Sequence, residues 1–293
     1  MTHKYDFNQV LTKDDIKLSG LQTQGDKNKT AYIFIHGFGA DFYSHTFYHS
    51  ITEKLSSQGN LVILAQNRGT GLHTELIKKD GSGINIGSFH EKIEDSHLDI
   101  SPFVEYLLNK GYKEIGLIGH SLGTIKAVRY LFEGEYKYNI SKIILLAPFD
   151  KNAYMEKKAP GQLSKYLSKA MEMISEGRRL ETIPVPDWDD YPVTYESFVS
   201  WYNQSDLSMM WDFYRKGYDF PVLKQIKIPV RVILGGNDEF VTFPEFDETA
   251  ETALETIKKN IEDCQTVLID GSDHVFTGFE EKVAQEVADF ARI

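Results

Sequence analysis

The segment Ile115-Gly116-Leu117-Ile118-Gly119-His120-Ser121-Leu122-Gly123-Thr124-Ile125-Lys126-Ala127-Val128 changes character twice. It opens as a short apolar, β-branched run that reads as a buried strand, and it closes as the start of a helix. Between the two lies Gly119-His120-Ser121-Leu122-Gly123, a Gly-x-Ser-x-Gly sequence. Alone, that pattern is common. On a strand-to-helix turn it has a mechanical meaning, because a sharp turn lifts the serine hydroxyl above the sheet edge. The turn crowds the neighbouring backbone, so small flanking residues are needed. The helix that follows aims its N-terminus at the same spot and favours negative charge developing there.

Similar apolar runs recur on both sides of this segment. They are Tyr32-Ile33-Phe34-Ile35, Leu61-Val62-Ile63-Leu64, Ile143-Ile144-Leu145-Leu146, Val230-Arg231-Val232-Ile233-Leu234 and Thr266-Val267-Leu268-Ile269. Most are nearly continuous, not alternating, as in strands buried on both faces of a parallel sheet. Helical spacing lies between them, in Phe47, Ile51 and Leu55, in Val283, Val287 and Phe290, and over 98–108. In the last of these, Pro102 should kink the helix or mark its start. Strands alternating with helices predict an α/β fold with a mostly parallel central sheet flanked by helices. The stretch from Asp15 to Leu21 reads as an antiparallel edge strand.

The interval from Leu146 to Val230 is far longer than an ordinary connection. It holds all three tryptophans, Trp188, Trp201 and Trp211, with many tyrosines, phenylalanines and prolines. It is expected to be a folded helical cap inserted after the sixth core strand. The chain then divides into a core of 1–148 and 228–293 and a cap of 149–227.

Composition excludes several classes. The chain has 293 residues, 41% of them hydrophobic, which is enough to build a core and excludes disorder. A single cysteine, Cys264, excludes a disulfide scaffold and a thiol zinc site. Lys plus Arg number 32 against 43 Asp plus Glu, and the net charge of −11 weighs against a nucleic-acid partner. No run of about 18 apolar residues exists, so no membrane span is expected. Met1-Thr2-His3-Lys4-Tyr5-Asp6 opens no secretory signal, and a cytoplasmic protein is expected. His45 and His49 are four apart, but Thr46 follows His45 where a zinc-protease motif has glutamate, and no metal is expected. No phosphate-binding glycine loop is present, so no cofactor is implied.

With the elbow of Gly119 to Gly123 matched without departure, the chain resembles the α/β-hydrolase superfamily. The resemblance implies Ser121 as nucleophile, followed in the sequence by an acid and then a histidine. Leu234-Gly235-Gly236-Asn237-Asp238-Glu239 supplies Asp238 after a strand, and Gly271-Ser272-Asp273-His274 supplies His274 after the last one. His274 would take the serine proton and Asp238 would orient it. Asp150 is the rival acid, since some hydrolases place theirs after the strand that ends here at Leu146. His120 resembles a packing or support residue. The oxyanion hole would use the backbone N–H of Leu122 and, in His36-Gly37-Phe38-Gly39, that of Phe38. Asn67-Arg68-Gly69-Thr70-Gly71 resembles a structural turn of the superfamily. Ser88-Phe89-His90-Glu91-Lys92-Ile93-Glu94-Asp95, with Pro148-Phe149-Asp150, is similar to a little-characterised bacterial branch. Some relatives of that branch are linked to siderophore-ester hydrolysis.

The expected activity is therefore a serine esterase acting on a small-molecule carboxylic ester through an acyl-enzyme. An acyltransferase, thioesterase, lactonase or carbon–carbon bond hydrolase would use the same triad. A hydrolase-like binding protein with weak chemistry is the third reading. If Trp188, Trp201 and Trp211 line a pocket over Ser121, the ester is bulky, aromatic or macrocyclic. Otherwise they form the core of the cap.

Overall fold

In the computed structural model of the chain, these apolar runs become six strands of one eight-stranded sheet, five of them inner and the last at an edge. The structure describes residues 5–185 and 192–292. Along the chain come β1 (Asp6–Leu11), β2 (Lys17–Gln22), β3 (Ala31–Ile35), α1 (Thr46–Ser57) and β4 (Leu61–Ala65). A separate hairpin, β5 (Thr74–Ile77) with β6 (Gly83–Ile86), precedes α2 (Ser96–Asn109), β7 (Ile115–His120), α3 (Leu122–Glu133) and β8 (Ile140–Leu146). Next are α4 (Lys151–Lys158), α5 (Leu163–Ser175) and α6 (Tyr195–Tyr202), then β9 (Val230–Gly235), α7 (Ala250–Asn260), β10 (Cys264–Ile269) and α8 (Glu280–Ala291).

The spatial order is β1-β2-β4-β3-β7-β8-β9-β10. From β4 to β10 every pairing is parallel, while β2 runs antiparallel to β4 and β1 antiparallel to β2. Every residue of β3, β4 and β7 is buried, as near-continuous apolar runs demand. Helices α1 and α8 pack on each other, as do α2 and α3, and the two pairs cover the sheet. The α/β architecture implied by the strand and helix alternation is the one observed. Helices α4 to α6 all fall between β8, the sixth strand of the sheet in chain order, and β9.

One local expectation is corrected, one is narrowed, and one element was not foreseen. The strand within 15–21 is antiparallel, but β1 lies outside it and forms the edge. β1 turns Asn8 and Val10 inward, and an inward Asn hides the apolar alternation that would have announced a strand. Its Nδ2 donates to Gln22 Oε1 at 3.1 Å. Of its two readings, Pro102 does not mark the start of α2 but sits inside it. Burial of Ile100, Phe103, Val104 and Leu107 along that helix outweighs the one backbone bond that proline cannot make. The hairpin β5–β6 carries only Leu76 and Ile86 as buried residues, too few to signal a strand pair.

The elbow owes its shape to two backbone approaches. Ser121 has φ 54° and ψ −123°, a left-handed conformation rare for a residue with a side chain. A Cβ at Gly119 would lie 2.4 Å from the Gly123 carbonyl oxygen, and one at Gly123 would lie 2.2 Å from that of Ile35. The first turn of α3 thus rests directly on the end of β3. Gly123→Ala should destabilise the fold by about 1–3 kcal/mol, because backbone on both sides cannot yield. A thermal-unfolding midpoint equal to that of the unaltered protein would contradict this packing.

Candidate active site

In the parallel part of the sheet, the chain runs from β3 to β4 on one side and later returns to β7 on the other. Between β3 and β7 the order of strands reverses, and ligands of open α/β sheets bind outside the C-terminal ends of the strands at such a point. The loop after β3 carries His36 to Gly39, and the turn after β7 carries Ser121. The ends of β9 and β10 bring Asp238 and His274 to the same edge.

The His274–Asp238 contact is unambiguous. His274 Nδ1 lies 2.9 Å from each carboxylate oxygen of Asp238. An ionised carboxylate only accepts, so Nδ1 carries the proton and Nε2 is left with a lone pair. Both side chains are buried. Burial alone would depress the His274 pKa. The Asp238 charge and hydrogen bond outweigh it, helped by Glu239 and Asp273, and the pKa is raised above the ordinary imidazole value. Asp238 also accepts the Phe240 N–H at 2.9 Å.

Asp150, the rival acid, is occupied elsewhere. One oxygen accepts the N–H groups of Asn152 and Ala153, at 3.0 and 2.9 Å, and caps α4. The other accepts those of Phe213 and Tyr214, at 2.8 and 3.4 Å. Burial, with Asp212 nearby, raises its pKa.

His120 joins the elbow to the histidine loop. Its Nε2 lies 3.1 Å from the His274 carbonyl, so Nε2–H donates, and Nδ1 accepts from the Tyr48 hydroxyl at 3.0 Å. Burial and the neighbouring His274 push its pKa far below the ordinary value, which keeps it neutral. Of the two histidines weighed for a metal, His45 is the N-cap of α1 and lies near His120, while His49 meets the Tyr5 hydroxyl at 3.4 Å. Among the described residues, no three His, Cys, Asp or Glu side chains are grouped to hold a metal.

Ser121, His274, Gly37 and Phe38 line one cavity of about 250 Å³. Its walls add Ala40, His45, His120, Glu239 and Val275, with Phe149, Tyr154, Trp201, Tyr202 and Phe240. Trp201 meets Phe38 edge to face at 5.1 Å, and Phe240 lies 4.6 Å from His274. Of the tryptophans, Trp201 alone lines this cavity among the described residues, and Trp188 lies outside them. Trp211 is buried behind the elbow, its indole N–H donating to Thr124 Oγ1 at 3.1 Å. Of the other aromatic wall residues, Tyr154 and Tyr202 belong to the tyrosine-rich 149–227 segment and Phe149 to the Pro148-Phe149-Asp150 stretch, while Phe240, two residues after Asp238, was not singled out.

This sheet, with a serine elbow between β7 and α3, is the α/β-hydrolase fold. The sequence profile described as serine aminopeptidase, S33 matches residues 26–281, and the chain belongs to that family. Comparison with curated proteins finds no match. Among solved structures, it is similar to an esterase of Pyrococcus furiosus, with 21% identity, 99% of this chain and 91% of that one covered, and a TM-score of 0.59. Est1E from Butyrivibrio proteoclasticus with ferulic acid bound shares 19% identity over 97% of both chains, with a TM-score of 0.64. A carboxylesterase of Bacillus subtilis shares 17% over 98% of this chain and 91% of that one, at 0.55.

Because Asp238 is what lifts the His274 pKa, Asp238→Asn should lower it relative to the unaltered protein. Titration of the His274 ring protons by NMR reads this directly. An unchanged pKa would contradict the pairing.

Proposed function

We propose that this protein is a serine hydrolase of carboxylic esters, and that Ser121, His274 and Asp238 carry the reaction. The observation that bears most weight is the 2.9 Å contact between His274 Nδ1 and Asp238, which leaves Nε2 as a base in the cavity that Ser121 also lines. Among the described residues the Ser121 hydroxyl makes no hydrogen bond. Its bond to Nε2 forms in the substrate complex, where catalytic hydrogen bonds tighten.

Ser121 Oγ attacks the ester carbonyl while His274 Nε2 takes its proton. The carbonyl oxygen becomes an oxyanion held by the N–H groups of Phe38 and Leu122. Leu122 opens α3, so its N–H has no acceptor inside the helix. His274 passes the proton to the leaving alcohol, and water releases the acid by the same steps in reverse order. Asp238 stabilises the imidazolium throughout and keeps its own charge.

The cavity favours a ring-sized apolar group on the ester, since six of its fourteen lining residues are Phe, Tyr or Trp. Esters of aromatic acids or alcohols fit this reading. We read 149–227 as a cap, because Phe149, Tyr154, Trp201 and Tyr202 from that segment roof the cavity over a core of 1–148 and 228–293. A second reading, removal of an N-terminal aminoacyl group, is favoured by the family description and by Glu239. That carboxylate lines the cavity and forms no ion pair among the described residues, so a substrate ammonium would find it available.

Ser121→Ala should lower kcat/KM on phenyl acetate by on the order of 10⁴-fold or more. In the unaltered protein, kcat/KM should decline as pH falls through the raised His274 pKa, because the base must be neutral. Turnover that survives Ser121→Ala would refute the assignment. Faster release from amino-acid amides than from esters would favour the second reading.

A further inference from the structure

Behind the loop from His36 to Gly39 lies a chain of buried polar contacts that the reaction steps do not use. Lys126, about one turn into α3, and Glu91, ahead of α2, are fully buried with Nζ and Oε1 2.6 Å apart. Lys126 Nζ also donates to Asn67 Oδ1 at 3.1 Å, and the Gly69 N–H donates to the same oxygen at 3.0 Å. Glu91 packs so closely on Gly69 that a Cβ there would lie 2.3 Å from Oε2.

With its oxygen held, Asn67 turns Nδ2 to the His36 carbonyl at 3.3 Å and its backbone N–H to His36 Nε2, also at 3.3 Å. Nε2 therefore accepts, the ring proton sits on Nδ1, and Nδ1–H donates to the Gly37 carbonyl at 3.0 Å. Burial first, and Lys126 second, push the His36 pKa down to about 3, so the ring is neutral in this one tautomer.

The last contact matters because a peptide is planar. The Gly37 carbonyl and the Phe38 N–H belong to one plane and point in opposite directions. Fixing the carbonyl aims the N–H.

We propose that Lys126, Glu91 and Asn67 are positioning residues for the Gly37–Phe38 peptide, acting through His36 on the direction of the Phe38 N–H. The proposal rests on the reading that Phe38 supplies an oxyanion donor. None of the three lines the cavity, so none touches substrate. A buried ion pair adds little stability over apolar side chains of similar volume, because desolvating two charges offsets their attraction. Here it supplies a fixed place for the Asn67 amide.

Three changes separate aiming from folding. Asn67→Ala removes every side-chain contact of that residue, Asn67→Asp keeps an oxygen for Lys126 but loses the Nδ2 donor, and Glu91→Leu with Lys126→Met replaces the ion pair by apolar groups. Each is compared with the unaltered protein for melting temperature, for kcat and KM on phenyl acetate, and for the rate at which a fluorophosphonate labels Ser121. In folded Asn67→Ala and in the double replacement, kcat and labelling should fall about 10- to 100-fold, less than the cost of deleting an oxyanion donor. KM should stay within about twofold, since the interaction acts in the transition state. Asn67→Asp should lie between Asn67→Ala and the unaltered protein. Adding Asn67→Ala to the double replacement should cost little more, because both act along one path.

Folded variants that label and turn over within about twofold of the unaltered protein overturn the proposal, as do losses that multiply in the triple variant. The two Asn67 variants suffice if the double replacement does not fold. Failure of the unaltered Ser121 to label would refute the serine-hydrolase reading and this proposal with it, a result distinct from one confined to the variants.

Discussion

The site depends on one close approach. The first turn of α3 sits on the end of β3 with no room for a side chain at Gly123, whose missing Cβ would fall 2.2 Å from the Ile35 carbonyl oxygen. That contact draws the serine turn against the loop that follows β3. It also explains why a Cβ at Gly37 would lie 2.9 Å from that of Ser121. With backbone touching backbone, Ser121 and the neighbouring amides are held at fixed spacing by the two strands themselves. A site built this way needs little side-chain adjustment, which is what preorganised electrostatic catalysis requires.

Around this contact, three neighbouring histidines take different protonation behaviour from their surroundings. His274 faces a carboxylate, and its pKa rises. His120 and His36 are buried without an anionic partner, and theirs fall. His120 and His36 thus act as neutral brackets, each donating from one ring nitrogen and accepting at the other. Of these three, His274 keeps a basic nitrogen in the cavity. The difference comes from which charges lie within a few ångströms, since all three are buried to a similar degree.

Much of the fold was legible because the strands of a parallel sheet leave near-continuous apolar runs, and six of these marked six strands of the sheet. β1 escaped because its inward face holds Asn8, and the hairpin β5–β6 because it buries almost nothing. The order of Ser121, Asp238 and His274 could be read from motifs that follow strands, because such motifs are local. The order of motifs favoured Asp238 over Asp150, but the partners of the two carboxylates were not local. Both follow strands, and the difference lies in their partners, an imidazole for one and four backbone amides for the other. The tryptophans show the same limit. Composition grouped them in one segment, yet Trp201 faces the cavity and Trp211 binds the back of α3.

By itself the sequence determined the α/β class and the glycines that permit the elbow, and it marked Ser121, Asp238 and His274 as candidates for acyl chemistry. These follow from residue type and near-neighbour spacing, where steric limits and apolar periodicity act. Tertiary structure decided which histidine faces a carboxylate, which aromatic side chains wall the cavity and how Lys126 reaches the loop after β3 through Asn67. Those relations join residues tens of positions apart, and they are set by the packing of whole strands and helices, which no short window of sequence records.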